Sequence, residues 1–348
     1  MVGKSYLLRQ KHALFGRRIE MKFTNEKNIP IALAVWLASD FYDHHGDPNT
    51  ISATSLLRPL RSIVLERQMA SMPGVEASTD LMSVLPSRMG TATHDAVEKA
   101  WSSNYKDALK MLGLNQNTID KFLVNPEPED IQPDSICVYI EKRGYKKIGK
   151  WTITGKFDFV VEGEVHDLKT TKTYSWIAGT NDEDYRKQGS IYRWLSPEII
   201  TQDVMTILYV FQDWTKMRAI ADGGYPQNAC LAKKFPLYDL ESTESFIKGK
   251  LDKVEALEDK NQDELPLCSQ EELWQTETTY AYYKNPQSRT RATRVFKSMH
   301  EAQSKNAQDG GRGLITPRPG EVKRCNYCNA ISICKQAKDL EIQGLLKG

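Results

Sequence analysis

The sequence predicts a mixed α/β fold: a mixed central β-sheet flanked by helices, with a helical N-terminal addition and a cysteine-containing C-terminal one. Three observations predict it. Residues 150–172 read KWTITGKFDFVVEGEVHDLKTTK, two runs of alternating apolar and polar residues on either side of Glu162-Gly163, which is a β-hairpin pattern. Residues 90–101 and 182–195 carry side chains at helical spacing. Residues 203–211, DVMTILYVF, form a β-rich run long enough for a central strand. Helix, strand, strand, helix, strand is the order of a mixed α/β core.

Composition bounds the rest. With 348 residues, 40% hydrophobic and 26% charged, the chain can bury a core and is expected to be soluble. Its net charge of +2 does not argue for a polyanion partner, so a basic surface for nucleic acid would have to be local. The basic start, MVGKSYLLRQKHALFGRR, lacks the apolar run of a secretory signal. No apolar run reaches the roughly 18 residues of a spanning helix, so no membrane partner is expected. Three of the six cysteines lie between Cys325 and Cys334, which reads as metal binding in a reducing, cytoplasmic compartment rather than a disulfide scaffold.

Taken in order, residues 1–50 form an N-terminal extension. Within it, 31–42 (IALAVWLASDFY) predicts a buried helix, and His44-His45 before Gly46 and Pro48 reads as a polar loop more simply than as a metal site. A core with helical insertions is expected over 51–300. It begins with a helix capped by Ser52 or Thr54, with Leu56, Leu57, Leu60 and Val64 at helical spacing. Arg58, Arg61 and Arg67 on it either meet phosphates or form a solvated face. The 90–101 helix aligns His94, Val97, Glu98 and Trp101 along one side. Residues 104–134 read as a helical connection, and 135–140 as a strand leading to the hairpin. On the 182–195 helix, Gln188 and Tyr192 stand one turn apart on one face. Residues 242–260 form an amphipathic helix burying Phe246, Ile247, Leu251, Val254 and Leu257. Trp274, Tyr280, Tyr282 and Tyr283 precede a basic run with Arg289, Arg291, Arg294 and Lys297. That combination fits either a nucleic-acid contact or a surface helix over a core edge. Residues 308–320 are Gly- and Pro-rich and read as loop, and 301–348 as a C-terminal cysteine segment packed on the core.

The hairpin carries the chemistry. A two-residue loop at Glu162-Gly163 pairs Val161 with Glu164, sets Asp158 opposite Asp167, and sets Lys156 opposite Lys169. Directly opposed side chains have Cβ atoms about 5 Å apart, where like charges repel. Two carboxylates held so close require a cation, and hard oxygen ligands suit Mg2+ or Mn2+. Asp167 and Lys169 share a strand face, so one strand presents a metal ligand and an ammonium side by side. The competing reading is an ordinary edge hairpin with solvated charges.

These elements together resemble the PD-(D/E)XK nuclease superfamily, specifically the RecB-type exonucleases often encoded by phages and plasmids. Gly90 and His94 match a GxxxH helix, Gly155 and Asp158 a GxxD strand, and Asp167 and Lys169 a DxK strand. Gln188 and Tyr192 match a QxxxY helix, and Cys325, Cys328 and Cys334 a C-terminal CxxCx5C. Each motif is weak alone; five in the family's order span roughly 90–334. The resemblance implies a restriction-endonuclease-like core. Asp158 and Asp167 would bind the metal, with the backbone carbonyl of Leu168 and His94. Lys169 would orient the attacking hydroxide and stabilise phosphorane charge, while Gln188 and Tyr192 would position the DNA backbone or support Lys169.

The cysteines depart from that pattern. Relatives of the AddB and CRISPR-associated type hold a [4Fe–4S] cluster with three C-terminal cysteines and an early one, but the early segment here, SATSLLRPLRS, has none. Cys137, Cys230 and Cys268 do not stand where the fourth ligand is expected, and Cys137 reads as core. A cluster with an unusual fourth ligand, a zinc site completed by a histidine such as His300, and a vestigial site all remain open.

The expectation is a divalent-metal-dependent deoxyribonuclease, an exonuclease acting on DNA ends in recombination or repair, with a single-strand annealing protein or helicase as partner. If phage-encoded, it would work in the bacterial host cytoplasm. An endonuclease of the same fold is the runner-up. A catalytically silent DNA-binding scaffold and a C-terminal zinc module that binds DNA or a partner are the non-enzymatic rivals.

Overall fold

The protein is described from a computed structural model, which covers residues 8–14, 17–39, 47–72, 77–287 and 290–347. It is mixed α/β, as expected. The chain divides into two compact units, Met1–Arg58 with Ala70–Lys253, and Pro59–Met69 with Val254–Gly348. The division does not follow the expected boundaries at 50 and 300, because a stretch of early helix joins the C-terminal segment.

The first unit is built on a six-stranded mixed sheet. Its strands, in spatial order, are Cys230–Pro236, Val204–Phe211, Glu164–Thr171, Phe159–Val161, Ile136–Ile140 and Phe122–Val124. The pairs Glu164–Thr171 with Val204–Phe211 and Ile136–Ile140 with Phe122–Val124 are parallel; the other three are antiparallel. Val138, Val160, Val165, Met205 and Ile207 are fully buried in its faces. Each such side chain contributes roughly 1.5–3 kcal/mol.

The hairpin turns as the alternation predicts. Glu162 and Gly163 both have left-handed φ, 49° and 81°, the signature of a two-residue primed turn. Val161 pairs with Glu164 and Phe159 with His166. The first run of the hairpin, however, is not one strand. Trp151–Lys156 belongs to a separate three-stranded sheet, between Thr50–Ser52 and Arg143–Ile148. Lys156 therefore faces Arg143, not Lys169. The break at Phe157–Asp158 has a physical reason: it separates two lysines that a continuous strand would oppose, lets Lys156 ion-pair with Glu141, and frees Asp158 to accept from the Leu168 amide.

Two helices flank the hairpin. The His94 helix, Leu81–Ser103, is capped by Asp80, whose side chain accepts from Met82 N. Trp101 pins it against Phe159 of the hairpin in an edge contact at 5.9 Å. The Gln188 helix, Asp182–Leu195, crosses Trp151–Lys156 at Gly155, where an added Cβ would lie 2.8 Å from Leu195 Cδ1 and 2.9 Å from Tyr192 Cδ1. Only glycine admits the helix that close.

Two helix expectations change. The helix at Ile31–Ala38 buries Ala34, Leu37 and Ala38 but exposes Ile31, Leu33, Val35 and Trp36, so it is a one-sided surface helix; His44 and His45 lie outside the described residues. The helix expected from Ile51 is a strand, Thr50–Ser52, then a short turn, Ala53–Leu56, capped by Ser52, then a second helix, Leu60–Ser71. Pro59 forces the break, since it disfavours helical backbone at Arg58.

The second unit holds an antiparallel sheet of Arg294–Phe296, Thr279–Tyr283 and Leu314–Arg318. Its helix Met299–Gln308 begins with a capping box of Ser298 and Glu301. The expected loop over 308–320 thus contains a strand, and the basic run carries a short edge strand, Arg294–Phe296, and no helix among its described residues. Val64, Leu65, Leu273, Val322, Ala330 and Leu346 form the core of this unit.

Candidate active site

Every residue of the site sits in the first unit. Asp158 Oδ2 accepts from Leu168 N at 2.8 Å, so the side chain replaces the next rung of the hairpin ladder. His94 reaches the same place from its helix. Its Nε2 lies 2.9 Å from the Leu168 carbonyl and its Nδ1 3.4 Å from Asp158 Oδ2. A carbonyl only accepts, so Nε2 carries a proton. In a neutral imidazole Nδ1 then aims a lone pair at a carboxylate, and two facing acceptors require a proton or a cation between them.

Glu141 completes this group. The ligand atoms of His94, Glu141 and Asp158 all lie within 4.8 Å of one another. Glu141 follows the strand Ile136–Ile140 with left-handed φ, 53°, a conformation uncommon outside glycine and often kept at functional sites. Its amide donates to the Asp158 carbonyl and its carboxylate pairs with Lys156. Sequence reasoning missed it, because nothing marks a glutamate after a strand until the strand break brings it to Asp158.

Asp167 is fully buried and ion-paired with Lys169. Gln188 Nε2 donates to Asp167 Oδ1 at 3.3 Å and to the Tyr192 hydroxyl at 2.6 Å. Gln188 and Tyr192 are both buried, and Gln188 links the Tyr192 hydroxyl to Asp167. Lys169 rests 5.5 Å above the Tyr185 ring, a second residue the motifs did not mark. It shares the Gln188 helix three residues upstream.

Electrostatics separates the two aspartates. Burial, then the charge of Asp167, hold the Asp158 carboxyl well above its ordinary value. Burial works against the Lys169 charge, but Asp167 and Asp158 outweigh it and hold the ammonium above the ordinary lysine range. Burial and Asp167 thus penalise the charged form of Asp158. A divalent ion beside it would favour that form, and two carboxylates with one imidazole suit Mn2+ or Mg2+. The donor set at hand is His94, Glu141 and Asp158. Asp167 is engaged by Lys169 and Gln188, and the Leu168 carbonyl, expected as a ligand, accepts from His94.

The remaining sequence candidates lie elsewhere. Arg291, Arg294 and Lys297 are exposed in the second unit, and Arg289 lies outside the described residues. Arg61 and Arg67 are buried and so are not a phosphate-facing surface; Arg67 pairs with Glu258. Cys325, Cys328 and Cys334 line one cavity in the second unit, and the fourth cysteine lining it is Cys268, contrary to the sequence reading. His300, exposed on the helix Met299–Gln308, does not line it. Cys137 is half-buried in the strand Ile136–Ile140.

No family model matches this chain, and no curated protein does. A solved structure described as the crystal structure of SSO0001 is 14% identical, with 68% of this chain and 92% of that chain covered, at a TM-score of 0.36. A superposition that loose assigns neither family nor activity. Among the described residues, no helix is long and apolar enough to cross a membrane.

Proposed function

We propose that this protein is a divalent-metal-dependent deoxyribonuclease of the PD-(D/E)XK class, a RecB-type exonuclease that hydrolyses phosphodiesters at DNA ends. One observation carries the reading. Asp158, Asp167 and Lys169 from the hairpin meet His94 and Gln188 from two separate helices in one group of polar contacts, and His94 Nδ1 and Asp158 Oδ2 face each other as two acceptors that need a proton or a cation between them. An edge hairpin with solvated charges would not bury Asp167 or tie it to a glutamine on a helix.

His94, Glu141 and Asp158 would hold the ion, with Asp167 alongside. When bound, a divalent cation supplies Lewis acidity toward a phosphoryl oxygen and acidifies a water. The chain's own residues do the rest. The Lys169 ammonium, kept charged by its carboxylates, offers a fixed positive charge to the pentacoordinate phosphate as negative charge builds on its oxygens. Asp167 holds Lys169 in place, and Gln188 and Tyr192 hold Asp167. DNA is the substrate of this reading, and a single-strand annealing protein or helicase its proposed partner.

The test is digestion of end-labelled linear duplex and of closed circular DNA with Mg2+, Mn2+ or EDTA, using wild type and Lys169→Ala. Metal-dependent loss of the linear substrate alone, absent in the mutant, is expected. Cutting of the circle would replace the exonuclease with an endonuclease. No cleavage by folded wild type with either metal would refute the enzyme.

A further inference from the structure

The second unit contains a group of side chains that the nuclease reading does not use. Cys268, Cys325, Cys328 and Cys334 line a cavity of about 30 Å3, together with Arg61, Ser62 and Gln336 and with apolar side chains such as Leu65 and Leu273. By the same kind of measure a water needs about 10–15 Å3 and two to four polar partners. The cavity has the room, and the polar side chains that line it, Arg61, Ser62 and Gln336, are each engaged with neighbouring protein groups. Packed interiors seldom leave such a void.

Local structure aims all four sulfurs at it. Cys325 lies in the short 3-10 turn Arg324–Tyr327, and Cys328 follows with its amide on the Cys325 carbonyl at 3.0 Å. Cys334 is the N-cap residue of Lys335–Ile342. Cys268 comes from a loop more than fifty residues earlier, yet Gln336 grips its backbone twice: Cys268 N donates to Gln336 Oε1, and Gln336 Nε2 donates to the Cys268 carbonyl, both at 2.9 Å. That clamp places Cys268 beside the other three.

Polar groups from the helix Leu60–Ser71 meet the sulfurs. The buried Arg61 donates through Nε to Cys334 Sγ at 3.5 Å, while its Nη1 donates to the carbonyls of Gln262 and Leu265. Ser62 Oγ lies 3.7 Å from Cys328 Sγ. The segment in which an early cysteine was expected does reach the site, but it brings a donor, Arg61, and an acceptor, Ser62 Oγ, instead of a ligand.

Spacing selects the occupant. Among the described residues, the one group of His, Cys, Asp or Glu with all ligand atoms within 4.8 Å of one another is His94, Glu141 and Asp158. No three of the cysteine sulfurs are that close. A tetrahedral zinc, with Zn–S about 2.3 Å, holds its sulfurs about 3.8 Å apart. A cubane of iron and sulfide spreads its four ligands further.

We propose that Cys268, Cys325, Cys328 and Cys334 are the four thiolate ligands of one [4Fe–4S] cluster, with Cys268 as the fourth ligand and Arg61 as its buried counter-charge. Loading releases the four thiol protons to solvent. Four thiolates around a core of charge 2+ leave two negative charges, of which the Arg61 guanidinium offsets one. Hydrogen bonds to cluster sulfurs also tune potential. The cluster is closed within one compact unit and staples its tail to the loop at Cys268.

The test uses the full chain purified without oxygen and does not depend on cleavage. Wild type is expected to show visible charge-transfer absorbance, with iron and acid-labile sulfide in equal amounts. Cys268→Ser should lose most of both, and Cys230→Ser should keep them. Wild type that holds zinc and no iron overturns the cluster, and a Cys268→Ser protein with undiminished iron overturns the ligand. Because that variant can fail to fold, wild type is also alkylated before and after metal is stripped with oxidant and chelator. Cys268 should be protected before and labelled after, together with the three C-terminal cysteines, while the exposed Cys230 labels in both. Labelling of Cys268 in the loaded protein overturns the assignment.

Discussion

The carboxylate site and the cysteine site manage buried charge in opposite ways. In the first, opposite charges are already built in: Lys169 pairs with Asp167 and lies within reach of Asp158, and Lys156 pairs with Glu141. In the second, four cysteines line a cavity whose one charged lining residue is Arg61. Burial, then Glu272 and the neighbouring sulfurs, push the Cys268 thiol up to about 12. On the readings proposed above, the first site would exchange an ion with solvent during a reaction and the second would be a structural tie.

The contrast can be broken from the activity side with the largest effect. Lys169→Ala should lower cleavage of linear duplex by about 10²–10³-fold, the usual loss for removing one preorganised charge donor, while calorimetric Mn2+ binding changes little. A mutant that cleaves at the wild-type rate removes the lysine from the mechanism. Cys268→Ser should do the reverse. Closing a loop of this length with a covalent tie is worth about 2–5 kcal/mol, so the second unit should melt several degrees lower while metal binding at the hairpin is unaffected. Equal melting temperatures would mean that the cysteines hold nothing.

A pH experiment sharpens the comparison further. The folded-state pKa of Asp158 lies above its ordinary value of 3.8. Between those two values the folded state binds more protons than the unfolded one, so stability falls as pH rises through that window. Thermal melts in EDTA from about pH 4 upward should show this loss, and saturating Mn2+ or the substitution Asp158→Asn should flatten it. An unchanged slope in Asp158→Asn would assign the effect to another group.

The smallest effects concern the two motif glycines. A Cβ at Gly155 would collide with Leu195 and Tyr192, whereas a Cβ at Gly90 would meet nothing within 4 Å. Gly155→Ala should cost about 1–3 kcal/mol by overpacking and loosen the Gln188 helix. Gly90→Ala should stabilise its helix by up to about 1 kcal/mol. A Gly155→Ala protein as stable as wild type in urea denaturation would show that the packing assigned to Gly155 is wrong. Loss of cleavage in a stabilised Gly90→Ala protein would point to close approach of DNA at that helix.

What the sequence determined by itself was whatever short-range periodicity controls. A two-residue turn and a period of two bring Asp158 and Asp167 together and put Asp167 and Lys169 on one face. A period of 3.6 sets Gln188 below Tyr192, and aligns His94 with Trp101 on the side that packs against the hairpin. Tertiary structure decided the contacts whose partners are distant in the chain. The break at Phe157–Asp158 sends Lys156 to Glu141, which makes Glu141 a donor beside His94. The Leu60–Ser71 helix brings Arg61 to Cys334 across 273 positions, and Gln336 fixes Cys268 from 68 positions away. Local pattern encodes which face a side chain takes, because backbone geometry sets that within a few residues. It carries no record of which faces later meet, because packing of whole elements settles that.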